Sequence, residues 1–210
     1  MEKSDILISG EGSFIQESNS IMVSDPSYEY NPLEHVKNSV LFKLNLVISK
    51  VLKGTWNIFL IVRKDCKTRN AELACVHESV STDLTSLNWQ EEGAIGVDSG
   101  QAGVYDLKHF GGNKVGGNQN NSLVIENNKE WYKLNCKIAS KPNAYGGPIP
   151  NGAVSSSGFG DGMYKVYRVT REDGRVIGIK IVFITDQEIQ RWNELVKKTE
   201  KKPNRRTKSV

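Results

Sequence analysis

Four aspartates set among glycines and turn residues are the groups in this chain whose types and spacing point to chemistry. Asp98 and Asp106 belong to Ile95-Gly-Val-Asp-Ser-Gly-Gln-Ala-Gly-Val-Tyr-Asp106, Asp161 to Ser155-Ser-Ser-Gly-Phe-Gly-Asp-Gly-Met-Tyr164, and Asp25 to Ser24-Asp-Pro-Ser-Tyr28. Glycine adopts backbone angles that other residues avoid and lets a ligand or a second chain segment come close to the main chain. Hard divalent ions prefer grouped oxygen ligands, so Asp25, Asp98, Asp106 and Asp161 form a candidate site for Ca²⁺ or Mg²⁺. His77, Ser99, Gln101 and Tyr164 are the candidate ligand-contacting neighbours. A second reading stays open beside this one: Asp-Ser-Gly and Gly-Asp-Gly are good turn sequences with no ligand at all.

Several specific chemistries are excluded by the same residues. There is no EF-hand spacing, no phosphate-cradling Gly-x-x-x-x-Gly-Lys-Ser/Thr, no His-Glu-x-x-His and no Gly-x-Ser-x-Gly nucleophile elbow. Adjacent Asp98 and Ser99 are not a base and nucleophile pair, since neighbours on a strand point to opposite faces.

The elements that must position these groups read mainly as strands. Residues 5 to 9 and 20 to 24 are short strands, the second stopped by Pro26, which forces Asp25 into an extended conformation at the strand end. Leu41 to Val51 and Trp56 to Val62 read as a hairpin turning at Lys53-Gly54, its second strand apolar on both sides and therefore central to a sheet. Ala71 to Glu78 reads as a helical turn or a strand, and its alternation fits a strand with Leu73, Cys75 and His77 on one face. A histidine there is more often a hydrogen-bonded core residue than a ligand, and His35 and His109 lie in loops.

Residues 94 to 98 and 102 to 107 are two strands around the Asp98 to Gln101 bend, and Gly111 to Asn121 is a long glycine- and asparagine-rich loop. Trp131 to Ala139 reads as a strand and Pro142 to Pro150 as an irregular loop. Met163 to Thr170 and Arg175 to Ile184 flank Arg171-Glu-Asp-Gly174, a hairpin turn, and Asp186 to Lys198 is a helix capped by Thr185 or Asp186. The fold class expected is all-β or β-rich α+β, an antiparallel sandwich or partly open barrel with a C-terminal helix. Residues 1 to 198 are expected to form one domain, followed by a basic, disordered tail from 199 to 210.

Composition bounds the partners. Net charge is +4, but residues 197 to 208 carry seven lysines and arginines against Glu200, leaving −2 on the rest. Basicity is thus a property of the tail, which is either a solvated terminus or a contact for nucleic acid or an acidic partner. No apolar run is long enough to cross a membrane and the N-terminus lacks a secretory pattern, so a cytoplasmic setting, or the host cytoplasm for a viral protein, is expected. Cys66, Cys75 and Cys136 are odd in number and without metal spacing, which fits reduced thiols.

The ordered set Ser24-Asp-Pro-Ser-Tyr28, Trp56, Ala71-Glu-Leu73 with His77-Glu78, Val97-Asp-Ser-Gly-Gln-Ala-Gly103 with Asp106, and Gly158-Phe-Gly-Asp-Gly162 with Tyr164 resembles a family of small uncharacterised bacterial and phage proteins, a domain of unknown function. The resemblance spans roughly residues 20 to 184 and leaves the final helix and the tail outside. It implies an acidic constellation on a compact β domain and no particular reaction. Three functional classes follow: a ligand- or ion-binding β domain, a metal-dependent hydrolase of phosphoester or glycosidic bonds, and a phage or viral structural or interaction protein.

Overall fold

A computed structural model describes residues 6–28, 44–65, 68–112 and 121–200. Among them are eleven strands and two α-helices, arranged as two antiparallel sheets that do not close into a barrel. In chain order the strands are β1 Ile6–Gln16, β2 Ser20–Ser24, β3 Leu46–Ser49, β4 Gly54–Arg63, β5 Arg69–His77, β6 Gln90–Val97, β7 Gln101–Asp106, β8 Gly146–Ile149, β9 Gly152–Ser156, β10 Gly162–Thr170 and β11 Val176–Val182. Helix α1 is Asn121–Ala139 and α2 is Asp186–Glu200. The larger sheet has the order β1-β4-β5-β11-β10-β6 and the smaller β3-β2-β7-β9-β8.

Three apolar layers follow from side-chain alternation. Between the sheets, Trp56, Ile58, Leu60, Leu73, Cys75, Ile95, Val104, Ile179, Ile181 and Phe183 are buried together. Tyr105, Met22 and Val154 face the other way and are covered by Trp131, Leu134 and Ile138 of α1. The outer face of the larger sheet, with Ile61, Ala74 and Val76, is covered by Leu84, Leu87 and Trp89. Burial of both faces explains the continuously apolar sequence of β4, which lies inside the sheet between β1 and β5.

The expected hairpin of residues 163–184 is present, with Lys165 opposite Val182 and Val169 opposite Gly178. The C-terminal helix is present too, and a capping box starts it: the Glu188 amide donates to Thr185 Oγ1 at 3.3 Å while the Glu188 carboxylate accepts from the Thr185 amide at 2.7 Å.

Three expectations are corrected. The segments within 41–62 do not pair with each other: β3 pairs with β2 in the smaller sheet and β4 with β1 and β5 in the larger, because the chain changes sheets at residues 50 to 53. Trp131 to Ala139 is helical, since Trp131, Leu134 and Ile138 recur at spacings of three and four and cover one sheet face. The loop of residues 142–150 contains β8, an edge strand paired with β9. The tail from 201 onward, His35, Cys66 and residues 113–120 of the glycine-rich loop lie outside the described residues.

Four crossings between the sheets matter for the site: residues 17–19, 50–53, 98–100 and 157–161. The β2–β7 ladder, with Ser24 opposite Gly103 and Ile21 opposite Asp106, runs between the first and third of these. Gly103 has no side chain because the Tyr105 ring folds across it, so that a Cβ there would lie 2.2 Å from the Tyr105 hydroxyl.

Candidate functional site

Asp25 follows β2 and is completely buried. Its Oδ2 accepts the main-chain amides of Asp98 and Ser99 at 2.9 and 2.8 Å, and its Oδ1 accepts the Ser99 hydroxyl and the Ser27 amide, each at 2.7 Å. An unpaired buried carboxylate costs several kcal/mol, on the order of the penalty for any desolvated ion, and these four donors offset it. The consequence is mechanical: the carboxylate clamps the β6–β7 crossing in one shape. Gly100 completes that bend with a φ of 68°, a left-handed conformation that favours glycine.

Asp106 repeats the construction at the opposite end of the same ladder. It is also fully buried, and it accepts the amides of Glu17 at 2.6 Å, Ser18 at 2.8 Å and Lys108 at 2.9 Å. It thereby clamps the β1–β2 crossing. Five strand steps, roughly 17 Å, separate it from Gln101, so it does not join the other aspartates.

The remaining carboxylates gather at the Asp98–Gly100 bend. Asp98 is exposed, and its Oδ2 accepts the Tyr28 hydroxyl at 2.6 Å. Asp161, also exposed, accepts the Gly100 amide at 3.0 Å, and the Ser157 amide donates to the Gly100 carbonyl at 3.0 Å, tying the 157–161 crossing to the bend. Burial pushes the Tyr28 phenol well above its usual range; next come the hydrogen bond and charge of Asp98, and then the charges of Asp25 and Asp161. Three of the four aspartates therefore meet at this bend, Asp98 on the Tyr28 hydroxyl and Asp25 and Asp161 on its main-chain amides.

Two further side chains lie against this bend, from α1. Gln101 Nε2 donates to Cys136 Sγ at 3.2 Å, and Tyr132, one helical turn before Cys136, has its phenol raised above its usual range by burial first and then by Cys136. Gln101 is 4% exposed, and its Oε1 has no hydrogen-bond partner. Ser99 and Gln101 thus belong to the same locality as Asp98. Tyr164 lies behind it: it is largely buried, it hydrogen-bonds the carbonyls of Ser157 and Gly160 at 3.0 and 2.6 Å, and it packs edge-on against Phe183.

His77 is elsewhere. The strand registers put Gly162 beside Val97 but Val76 beside Gly178, so His77 sits at the far end of the larger sheet. The Ser79 amide donates to its Nδ1 at 3.1 Å, which leaves the proton on Nε2 to donate to the Lys53 carbonyl at 3.1 Å. Its ring also meets Trp56 edge-on, so it is a satisfied core histidine.

Sequence reasoning missed Tyr132 and Cys136, because it assigned their segment to a strand. Their spacing of four puts them on one face of a helix, which is the signal that finds them. Among the described residues no three His, Cys, Asp or Glu side chains are grouped so as to hold a metal ion directly. No described helix is long and apolar enough to cross a membrane.

No curated protein and no solved structure matches the chain. A family model does: residues 14–181 match the family described as Protein of unknown function (DUF4241). Both clamped crossings, the Asp98 bend and the strands that carry them fall almost wholly within the matched span, and the chain belongs to that family.

Proposed function

We propose that this protein is a ligand-binding β domain, that its ligand is a small cation, and that the recognition site is the Asp98–Gly100 bend with Tyr28 and Asp161. The observation that carries it is the meeting of three carboxylates at one bend, with the buried Asp25 spent on holding the Asp98 and Ser99 amides and the two exposed ones, Asp98 and Asp161, at the surface. A rigid main chain lowers the ordering cost of binding, so donors on Asp25 serve affinity without touching the ligand.

The open valences at the bend are acceptors. Asp98 has one oxygen beyond its bond to Tyr28, and Asp161 one beyond its bond to Gly100. Acceptors call for a donor-rich cation, either an ammonium or guanidinium compound or a divalent ion that keeps its water shell, as Mg²⁺ does. Ser99 and Gln101 line the inner side.

Thermal denaturation of the intact protein with Mg²⁺, Ca²⁺, Mn²⁺, spermidine and arginine tests this. A ligand that binds only the native state raises the melting temperature, by about 2.7 kcal/mol of stabilisation at one hundred times its Kd. At least one of the five should do so for the wild type and fail to do so for Asp98→Asn. A panel without effect, or an effect that persists in Asp98→Asn, contradicts the assignment.

A further inference from the structure

The two sheets have four edge strands, β1 and β6 in the larger and β3 and β8 in the smaller. An edge presents a row of unpaired main-chain N–H and C=O groups, and folded proteins block such rows with short strands, prolines, charges or a covering segment. Three of the four edges are blocked in these ways. β8 is four residues long and contains Pro148, which has no N–H to offer. β3 is also four residues long, and its Leu46 side chain lies against Gly93 of β6. β6 carries Glu91 and Glu92, paired with Lys165 and Arg168, and its Gly96 amide donates to the Leu44 carbonyl at 3.2 Å.

β1 differs. At eleven residues it is the longest of the described strands, and only its second half is covered: the Ile15 carbonyl accepts Asn151 Nδ2 at 3.1 Å, and Pro148 packs over Gly12. A bulge between Gly10 and Gly12 marks the change. Before it, among the described residues, the main chain of residues 6–10 bonds to β4 alone. Alternate residues of an antiparallel ladder turn their N–H and C=O away from the neighbour, so this stretch holds a row of outward groups without partners. It contains no proline and no charge. Leu7 and Ile8, which point to opposite faces, are each 48% exposed. An open edge with half-exposed apolar side chains on both faces fits a strand that is itself apolar on both faces.

We infer that the open edge of β1 pairs with the same edge of a second copy of this chain, antiparallel, about a two-fold axis at Leu7. The strand is its own complement there: the axis sets Leu7 beside Leu7 and Ile6 beside Ile8 on either side of it. Charge selects the direction. Glu11 is the single charged residue of β1, and a parallel pair in register would set the two Glu11 side by side, which is destabilising. The antiparallel axis holds them roughly 27 Å apart, well beyond the screening length of about 8 Å at physiological salt. Lys3 stands as far before Leu7 in the sequence as Glu11 stands after it, so each end of the pair brings unlike charges together. Five open residues make a strip only about 17 Å long, which belongs with small, transient interfaces, and the dissociation constant should be on the order of 10 µM. The inference is independent of the cation site, which follows β6 at the opposite edge of the larger sheet.

Sedimentation velocity of the full chain from about 1 to 300 µM, a range that brackets this constant, tests it. Monomer should prevail at the lower limit and dimer at the upper. Leu7→Lys sets two lysines against each other at the axis and should stay monomeric throughout, with circular dichroism unchanged. Glu11→Lys should weaken the dimer about tenfold through two reversed pairs, and Lys3→Glu added to it should restore the wild-type constant. Amide exchange in residues 7–10 should be slow at the upper concentration and fast at the lower. A chain that stays monomeric at the upper limit, a dimer that survives Leu7→Lys in a folded chain, or a double charge exchange as weak as Glu11→Lys would overturn the inference. Protection of these amides that is independent of concentration would overturn it too, and would mean that another segment of the same chain covers the edge. Where Leu7→Lys fails to fold, the charge exchange at positions 3 and 11 decides.

Discussion

Replacing Asp25 by asparagine changes one atom and should cost the fold more than most core truncations. The carboxylate accepts four hydrogen bonds, two on each oxygen, at 2.7 to 2.9 Å. In asparagine one oxygen becomes an NH₂, which then faces two donors whichever way the amide is turned. Two bonds to a buried charge are lost, and hydrogen bonds to charged groups are worth about 1.5–3 kcal/mol each, so the expected loss is roughly 3–6 kcal/mol. Asp98→Asn, at an exposed position with one phenol partner, should cost no more than about 1 kcal/mol. Urea denaturation followed by circular dichroism measures both, and an unchanged slope against urea shows that the same surface is exposed. Amide exchange at Asp98 and Ser99 should accelerate in Asp25→Asn, since their N–H groups lose the acceptor. Asp106, which accepts three main-chain amides, should respond to asparagine in the same manner. A cost below 1 kcal/mol for Asp25→Asn would refute the reasoning, because the crossing would then be held by something other than this carboxylate.

Other perturbations probe other joints. Phe159 stacks on Trp192 with ring centroids 5.4 Å apart and carries Arg69 at 5.4 Å from its centroid, so Phe159→Ala should loosen α2 while its capping box remains. Amide exchange in residues 186–196 should rise about tenfold, and the β10–β11 hairpin should be unaffected; equal change in both would show global destabilisation instead. Glu17 is held at about 2, below its usual 4.5, first by the Lys108 hydrogen bond and then by His109. A depressed carboxyl stabilises the fold above its unfolded value, and that contribution is lost as pH falls through the folded value, so Glu17→Gln should be less stable than wild type at pH 5 and nearly equal to it at pH 2. Melting temperatures between these limits check it, and a constant difference would be contrary.

How much of this was legible in the sequence depends on range. The β10–β11 hairpin and the start of α2 are specified by residues a few positions apart, Arg171-Glu-Asp-Gly174 and Thr185 with Glu188, and they read correctly. Pro26 ends β2 and puts Asp25 in a turn, as its backbone chemistry requires. The misread segments fail for two physical reasons. Trp131, Tyr132 and Ile138 favour strands locally, and only their spacing against the sheet selects a helix. The partner of β3 is set by the change of sheets at residues 50–53, which leaves no local trace in residues 41–62. At the site, the glycine and aspartate grammar located the crossings, yet it could not say that Asp25 and Asp106 point inward to amides while Asp98 and Asp161 point outward. That distinction rests on contacts 73 to 89 residues apart in the chain.

Titrating ¹⁵N-labelled protein with whichever cation raises its melting temperature, and following the amide resonances, tests the recognition site most directly. Shifts should concentrate at Tyr28, Asp98 to Gln101 and Asp161, and should vanish in Asp98→Asn. Shifts centred instead on the Glu91 and Glu92 face of β6, or spread over the surface without saturating, would contradict a cation site at the clamped bend.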